Sequence, residues 1–135
     1  MDVGRYRFER FTEAGKNFSP RVTLRQNGQI GFNEGARNAY SIEDRKYAVL
    51  FYDNANAAIG ILLTNDESEE GALPVRQSKT NTYIAAKSFL DKHRVDYSKA
   101  TRLTPEQHGD VLVLQLDSAE IAEEEKPQPP EPIER

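Results

Sequence analysis

The sequence predicts a mainly β (α+β) fold, in the form of a small, internally duplicated β-barrel with two short helices. Three observations lead to this prediction. Apolar and polar residues alternate over short segments that end at turn residues, as is typical of strands. Only two stretches have the spacing of a helix. The order of these elements repeats along the chain at a spacing of 53 residues.

The first half of the duplication is expected over residues 21–64 and opens with two strands. Polar and apolar residues alternate from Arg21 to Arg25, which is the period of a half-buried strand. Asn27-Gly28 follows, and both residues tolerate the positive φ angles of a tight hairpin turn. The returning strand is therefore expected at Gln29–Phe32.

A short helix and a second hairpin complete this half. Asn33 is a suitable helix N-cap, and Glu34 lies where the helix dipole favours an acid. Ala36, Ala39 and Tyr40 are spaced three and four apart, which predicts one helix of about two turns. The remaining elements of this half are a strand at 46–52, a turn at 53–56 and a strand at 57–64.

The second half, residues 73–118, follows a polar linker at 65–72 and repeats the same series. Its expected elements are strands at 73–77 and 82–85, a helix at 86–93, a strand at 99–104, a turn at 105–109 and a strand at 111–116. A shift of 53 residues places Ile59, Ile61 and Leu63 on Leu112, Leu114 and Leu116, and Ile30 on Tyr83.

Neither half has enough apolar surface to form a core alone, so the two are expected to share one core about an approximate twofold axis. The expected core residues are the apolar members of both halves: Val22, Leu24, Ile30, Phe32, Ala36, Ile42, Val49, Phe51, Ile59, Ile61, Leu63, Val75, Ile84, Phe89, Leu90, Val95, Leu103, Leu112, Leu114 and Leu116.

Two segments flank the duplicated unit. Residues 1–20 are expected to form an N-terminal strand or arm. Residues 119–135 carry a net charge of −4 and hold four of the seven prolines, so an acidic, disordered tail is predicted there. The remaining 118 residues have no net charge. A solubilising role is the simpler interpretation of such a tail, and an interaction tail is the alternative.

Composition excludes several classes of protein. The chain has no cysteine, which removes disulfides, thiolate metal sites and cysteine nucleophiles. Its longest nearly apolar run, Ala57–Leu63, is far shorter than the ~20 residues of a membrane span. No secretory signal is visible, so a cytoplasmic protein is expected. His93 and His108 stand outside any catalytic or metal-binding motif. We therefore expect no enzyme activity, no cofactor and no metal.

One known family shares this order of elements. Residues 29–42, which read Gln-Ile-Gly-Phe-Asn-Glu-Gly-Ala-Arg-Asn-Ala-Tyr-Ser-Ile, are followed by the strands at 46–52 and 58–63. This succession of short strand, cap residue, amphipathic helix and hairpin resembles the unit of the AbrB/SpoVT family. The resemblance implies a swapped-hairpin β-barrel made from two units, as a homodimer or as tandem copies in one chain. A different α+β barrel with the same elements is the alternative.

The resemblance also implies a DNA-binding transcription regulator that contacts DNA through basic residues early in the unit. Residues 1–50 hold nine bases and six acids, and their cations could contact phosphates. The candidate nucleic-acid-binding residues are Arg5, Arg7, Arg10, Arg21, Arg25 and Arg37. Double-stranded DNA is the expected partner, for a monomeric pseudo-dimer or a homodimer, with no membrane association. The alternative is a protein-interaction or adaptor module that uses exposed strand edges and binds no nucleic acid.

Overall fold

The computed structural model describes residues 2–8 and 19–121 of the chain. The N-terminal segment is a small antiparallel hairpin of β1 (Asp2–Val3) and β2 (Tyr6–Arg7), which turns at Gly4 and Arg5. Residues 9–18 and 122–135, and with them Arg10 and most of the predicted acidic tail, lie outside the described residues.

The duplicated unit contains ten more strands, two α-helices and two short 3₁₀ turns. In chain order the elements are β3 (Val22–Leu24), β4 (Gln29–Phe32), α1 (Glu34–Ala39), a 3₁₀ turn (Ile42–Asp44), β5 (Tyr47–Asp53), β6 (Ala58–Thr64), β7 (Leu73–Gln77), β8 (Thr82–Ala85), α2 (Lys87–Lys92), β9 (Thr101–Leu103), β10 (Glu106–His108), β11 (Val111–Gln115), a 3₁₀ turn (Leu116–Ser118) and β12 (Glu120–Ile121).

These ten strands form one antiparallel sheet, which curls into a half-barrel. The strand order is β10-β11-β6-β5-β7-β8-β4-β3-β9-β12. The prediction of a mainly β fold with two short helices is confirmed. β7 joins the two parts of the sheet, because Leu73 and Pro74 pair with β5 while Val75–Gln77 pair with β8.

The strand pairing relates the two halves by an approximate twofold axis. β6 and β11 pair directly, and Gly60 lies opposite Val113, which is its equivalent 53 residues later. On the two sides of this pair, Ile61 faces Leu112 and Ile59 faces Leu114. Replacing each residue by its equivalent in the other half gives the same set of pairs. The twofold axis therefore passes between Gly60 and Val113.

The axis crosses the sheet again where β4 pairs with β8. Gly31 lies opposite Tyr83 there, so the two residues are equivalent at a spacing of 52 rather than 53. The strand registers agree with this spacing. Val22 pairs with Phe32 in the first half, and its equivalent Val75 pairs with Ile84 in the second half, so Ile84 corresponds to Phe32 at a spacing of 52. The expected match of Ile30 with Tyr83 is therefore wrong. The hairpin loop before β8 is one residue shorter, which exchanges the faces of that strand relative to the simple shift.

The first strand of each half also pairs with a strand of the other half. β3 pairs with β9 of the second half, and β7 pairs with β5 of the first half. The two halves therefore share one sheet through these pairings.

The largest difference between the halves lies in their long hairpins. In the first half β5 is a continuous strand, whereas the equivalent segment of the second half divides into β9 and β10 around Pro105. The expected turn at 105–109 is therefore wrong in part, since Glu106–His108 forms a strand that pairs with β11. Proline lacks a backbone N–H, and it ends the first of these strands.

The predicted core is confirmed for all but three of its residues. Phe51 is 50% exposed, which makes its assignment to the core wrong, and Phe89 and Leu116 are only partly buried against the core. Val49 and Phe51 share the outer face of β5, but only Val49 is covered, by the chain at Gly71. Alternation alone could not distinguish these two residues. Five small or polar residues that were not predicted as core are also buried: Ala48, Ala58, Ala86, Thr23 and Thr82.

The ordered sheet extends further toward the C-terminus than the sequence predicted. Glu120 and Ile121 pair with β9, so the predicted start of a disordered tail at residue 119 is too early. Across residues 2–8 and 19–121, no helix combines the length and the apolar character needed to cross a membrane.

Candidate nucleic-acid interface

Two of the predicted arginines lie in the N-terminal hairpin. Arg5 donates a hydrogen bond to the Tyr6 hydroxyl at 3.2 Å, and its guanidinium lies 5.0 Å from the centre of the Tyr6 ring. The Tyr6 and Phe8 rings stack at 5.8 Å, and each side chain is about half exposed. Arg7 is exposed on β2. This hairpin therefore presents two arginines beside two accessible rings.

Arg21 and Arg25 lie at the two ends of β3, on the outer face of the sheet as the sequence predicted. The Arg21 side chain donates to the Pro20 carbonyl at 2.9 Å, and its backbone N–H donates to Asn33 Oδ1 at 3.0 Å. Arg25 donates to Gln29 Oε1 at 2.9 Å, which holds its side chain across the neighbouring strand β4.

The Arg25 guanidinium lies directly over Gly31 of β4. A Cβ atom at Gly31 would overlap the guanidinium group, so the close approach depends on the missing side chain. This position fixes a cation flat against the outer surface of the sheet. Nothing in the alternation of β3 predicts the contact, because it joins residues of two strands.

Three further residues extend this face along a single row of the sheet. Tyr83 lies opposite Gly31, and Arg76 lies opposite Tyr83. On the other side of Gly31, Thr23 lies opposite Arg102 of β9. We call this surface the basic face and define it by Arg21, Arg25, Arg76, Tyr83 and Arg102. Directly paired residues have Cβ atoms about 5 Å apart, so Tyr83 lies next to Arg76 and to the guanidinium over Gly31.

Charge is distributed unevenly around the basic face. The five strands that carry it, β3, β4, β7, β8 and β9, contain no aspartate or glutamate. In the next strand, β12, the backbone of Glu120 is in register with Arg102. The positive charge is therefore concentrated around Tyr83, between Arg25 and Arg76.

Arg37, the remaining predicted site residue, lies on α1 and not on the sheet. Its Nε is buried and has no hydrogen-bond partner among the residues that the structure describes. Part of this guanidinium is thus turned toward the interior. The structure brings Arg21 and Arg25 into one face with Arg76, Tyr83 and Arg102, three residues that the sequence analysis did not single out. Each of the three adjoins an apolar residue of its own strand, and this alternation was the sequence signal that could have found them.

A group of titratable side chains elsewhere has a structural role. Tyr97 donates to Asp91 at 2.6 Å and Lys87 donates to it at 3.2 Å, and these bonds hold the pKa of Asp91 below its usual range. The pKa of Lys87 is raised, mainly by its hydrogen bond with Tyr97 and next by its interaction with Asp91. These exposed groups connect α2 to the loop that follows it. Within the described ranges, no group of three or more histidine, cysteine, aspartate and glutamate side chains could hold a metal ion.

Comparisons with known proteins found no matching family model, no similar curated protein and no similar solved structure.

Proposed function

We propose that the protein binds nucleic acid, without catalysis, through the basic face. The observation that carries the proposal is the placement of Tyr83 between two arginines on a part of the sheet that lacks acids. Cations that reach phosphates supply the largest sequence-independent term in nucleic-acid affinity. An aromatic ring beside them adds a surface on which a base or a sugar can pack.

The fixed position of Arg25 supports this role. Its bond to Gln29 and its contact over Gly31 hold the guanidinium in place before a ligand arrives, which lowers the entropy lost on binding. Arg76 is exposed on the opposite side of Tyr83. The pair can therefore contact two phosphates of one backbone while Tyr83 packs between them.

The resemblance to the AbrB/SpoVT family favours duplex DNA as the ligand and transcription regulation as the role. Arg21 and Arg25 belong both to the region that the resemblance implies and to the basic face. Arg5 and Arg7 of the N-terminal hairpin would add phosphate contacts. A DNA-binding chain that contains no cysteine fits a cytoplasmic location.

The test is a double substitution, Arg25→Gln with Arg76→Gln, in the full chain. Fluorescence anisotropy with a labelled duplex of ~20 base pairs should show at least a tenfold loss of affinity at low salt, and a salt slope reduced by about two. The melting temperature should change little, because both side chains lie on the solvent side of the sheet.

The matched control is Lys92→Gln with Arg94→Gln, which removes two exposed cations at the end of α2. This variant should retain its affinity for the duplex within about twofold, because Lys92 and Arg94 do not belong to the basic face. An equal loss in both double variants would contradict the proposal. The proposal would also be contradicted if the protein bound the duplex with an affinity independent of salt, or if it did not bind the duplex at low salt.

A further inference from the structure

One strand of the sheet has an open edge beside an apolar cleft. β5 pairs with β6 along its whole length, from Tyr47 to Asp53. On its other side it pairs with β7 only at Tyr47 and Ala48. Residues 49–53 of β5 therefore have no strand partner on that side within the part of the chain that the structure describes.

The open edge arises from a difference between the two halves. β3 pairs with β9 through three residues, with Leu24 opposite Thr101. The same register in the other half would place Gln77 opposite Ala48, but Ala48 lies opposite Leu73 instead. β7 is thus displaced by four residues along β5, which leaves the far part of β5 uncovered.

The backbone groups on this edge point outward without a partner. Lys46 accepts a hydrogen bond from the Val75 N–H at 2.9 Å, so its backbone faces β7. Alternate residues of a strand point to the same side, and the N–H and C=O groups of Leu50 and Tyr52 therefore face the open edge. In the described ranges, no hydrogen bond reaches those four groups from that side.

The cleft beside this edge is apolar and has the size of a binding pocket. Its volume is about 530 Å³, and its walls include Val49, Phe51, Leu73, Ala85 and Phe89. Glu70 also lines the cleft. The exposed ring of Phe51 increases the apolar area that a ligand could cover. Pockets of this volume and character bind a few apolar groups at a time.

We propose that an extended peptide segment of a protein partner adds to the sheet beside β5. Its backbone would exchange hydrogen bonds with Leu50 and Tyr52, and its alternate side chains would enter the cleft. The chemistry selects apolar side chains at alternate positions and a lysine or arginine that faces Glu70. The proposal does not depend on nucleic-acid binding, because the cleft contains no residue of the basic face.

An extended polypeptide satisfies both parts of this surface. A small apolar molecule could fill the cleft, but it would leave the Leu50 and Tyr52 groups unpaired. A helix has free backbone groups only at its two ends, so it cannot pair along an open strand edge. An extended strand supplies hydrogen bonds and apolar side chains together.

The experiment is a selection of random displayed peptides of about twelve residues on the full chain, followed by binding measurements with the most enriched one. The enriched peptides should have apolar residues at alternate positions and should include a lysine or an arginine. Hydrogen exchange of the Leu50 and Tyr52 amides should be fast in the free protein and slow at least tenfold when that peptide is bound. Failure to enrich any peptide, or binding without this protection, would overturn the proposal.

Two pairs of variants locate the site. Ser88→Trp fills the cleft and should weaken the selected peptide at least tenfold, whereas Lys92→Trp, on the same helix but outside the lining, should not. Glu70→Lys should weaken binding of the selected peptide, and Glu69→Lys should have a much smaller effect on that binding. Equal effects within either pair would count against the site.

Two other occupants give distinct results. If a segment of the chain itself covers β5, the Leu50 and Tyr52 amides will already be protected in the free protein, which would exclude a partner peptide. If only a hydrophobic dye binds, the site is a small-molecule cleft and the proposal fails. The double substitution Arg25→Gln with Arg76→Gln should leave peptide binding unchanged, so this test and the nucleic-acid test can fail independently.

Discussion

Gly28 shows how one small residue joins the two halves. It has a φ of +87° in the turn between β3 and β4, and its carbonyl accepts a hydrogen bond from the Ala86 N–H at 3.0 Å. A Cβ atom at this position would lie 2.6 Å from the Cβ of Lys87. Gly28 thus provides the turn conformation and also allows the start of α2 to pack against the turn.

This double role predicts that Gly28→Ala destabilises the protein more than Gly109→Ala. Gly109 has a φ of +64° but no atom within 4 Å of its would-be Cβ, so its substitution should cost only backbone strain, about 1 kcal/mol. Gly28→Ala adds the overlap with Lys87 and should cost at least ~1 kcal/mol more. Urea unfolding of both variants measures the difference, and equal costs would show that the contact with α2 is unimportant.

At the residue level, local chemistry was predictable and contacts between strands were not. The N-cap role of Asn33 is confirmed, since its Oδ1 accepts from the Ala36 N–H at 2.8 Å. That role depends on residues three positions apart, which the sequence shows directly. The position of Arg25 over Gly31 depends on the pairing of two strands, so no pattern within one strand could reveal it.

At the level of elements, the pairing of β6 with β11 forms the centre of the shared core. Ile59, Ile61, Leu112 and Leu114 of these strands are each 1% exposed or less. Ile61 and Leu114 are equivalent under the shift of 53 residues, and they lie on adjacent strands close to the twofold axis. Each half therefore contributes the same part of its sequence to the same place in the core.

We expect Ile61→Ala and Leu114→Ala to have similar and large effects. Each removes a fully buried aliphatic side chain and should reduce the free energy of unfolding by ~2–5 kcal/mol. Phe51→Ala, on the neighbouring strand β5, should cost about 1 kcal/mol, because half of that side chain is already exposed. Chemical denaturation of the three variants tests the order. A larger cost at Phe51 would mean that its ring is covered in solution.

Strand positions followed from the sequence more readily than strand register. The alternation in 57–64 and 111–116 predicts both central strands, and the pairing of these strands confirms them. Register depends on the length of the loops, and the loop before β8 is one residue shorter than its counterpart. That single residue moves Tyr83 to the outer face, where the basic face includes it. The displacement of β7 along β5 is likewise invisible in the sequence.

At the level of the whole molecule, the two halves depend on each other through exchanged strands. β3 is held by β9, and β7 is held by β5. Both surfaces described above combine residues of the two halves. The basic face joins Arg25 to Arg76 and Tyr83, and the cleft lies between Phe51 and Phe89. The sequence predicted the duplication, but it does not show which residues of the two halves meet on one surface.

This dependence predicts that neither half folds alone. Division in the linker, into residues 1–67 and 68–135, would separate β3 from β9, β7 from β5 and β6 from β11. Each fragment should show little β signal in circular dichroism and no cooperative unfolding, because a few short strands and one short helix cannot bury a core. Mixing the fragments should restore the spectrum of the full chain, since the exchanged pairings are then available in trans. A fragment that unfolds cooperatively by itself would show that the halves are independent domains, and the shared core would then contribute little to the stability of either one.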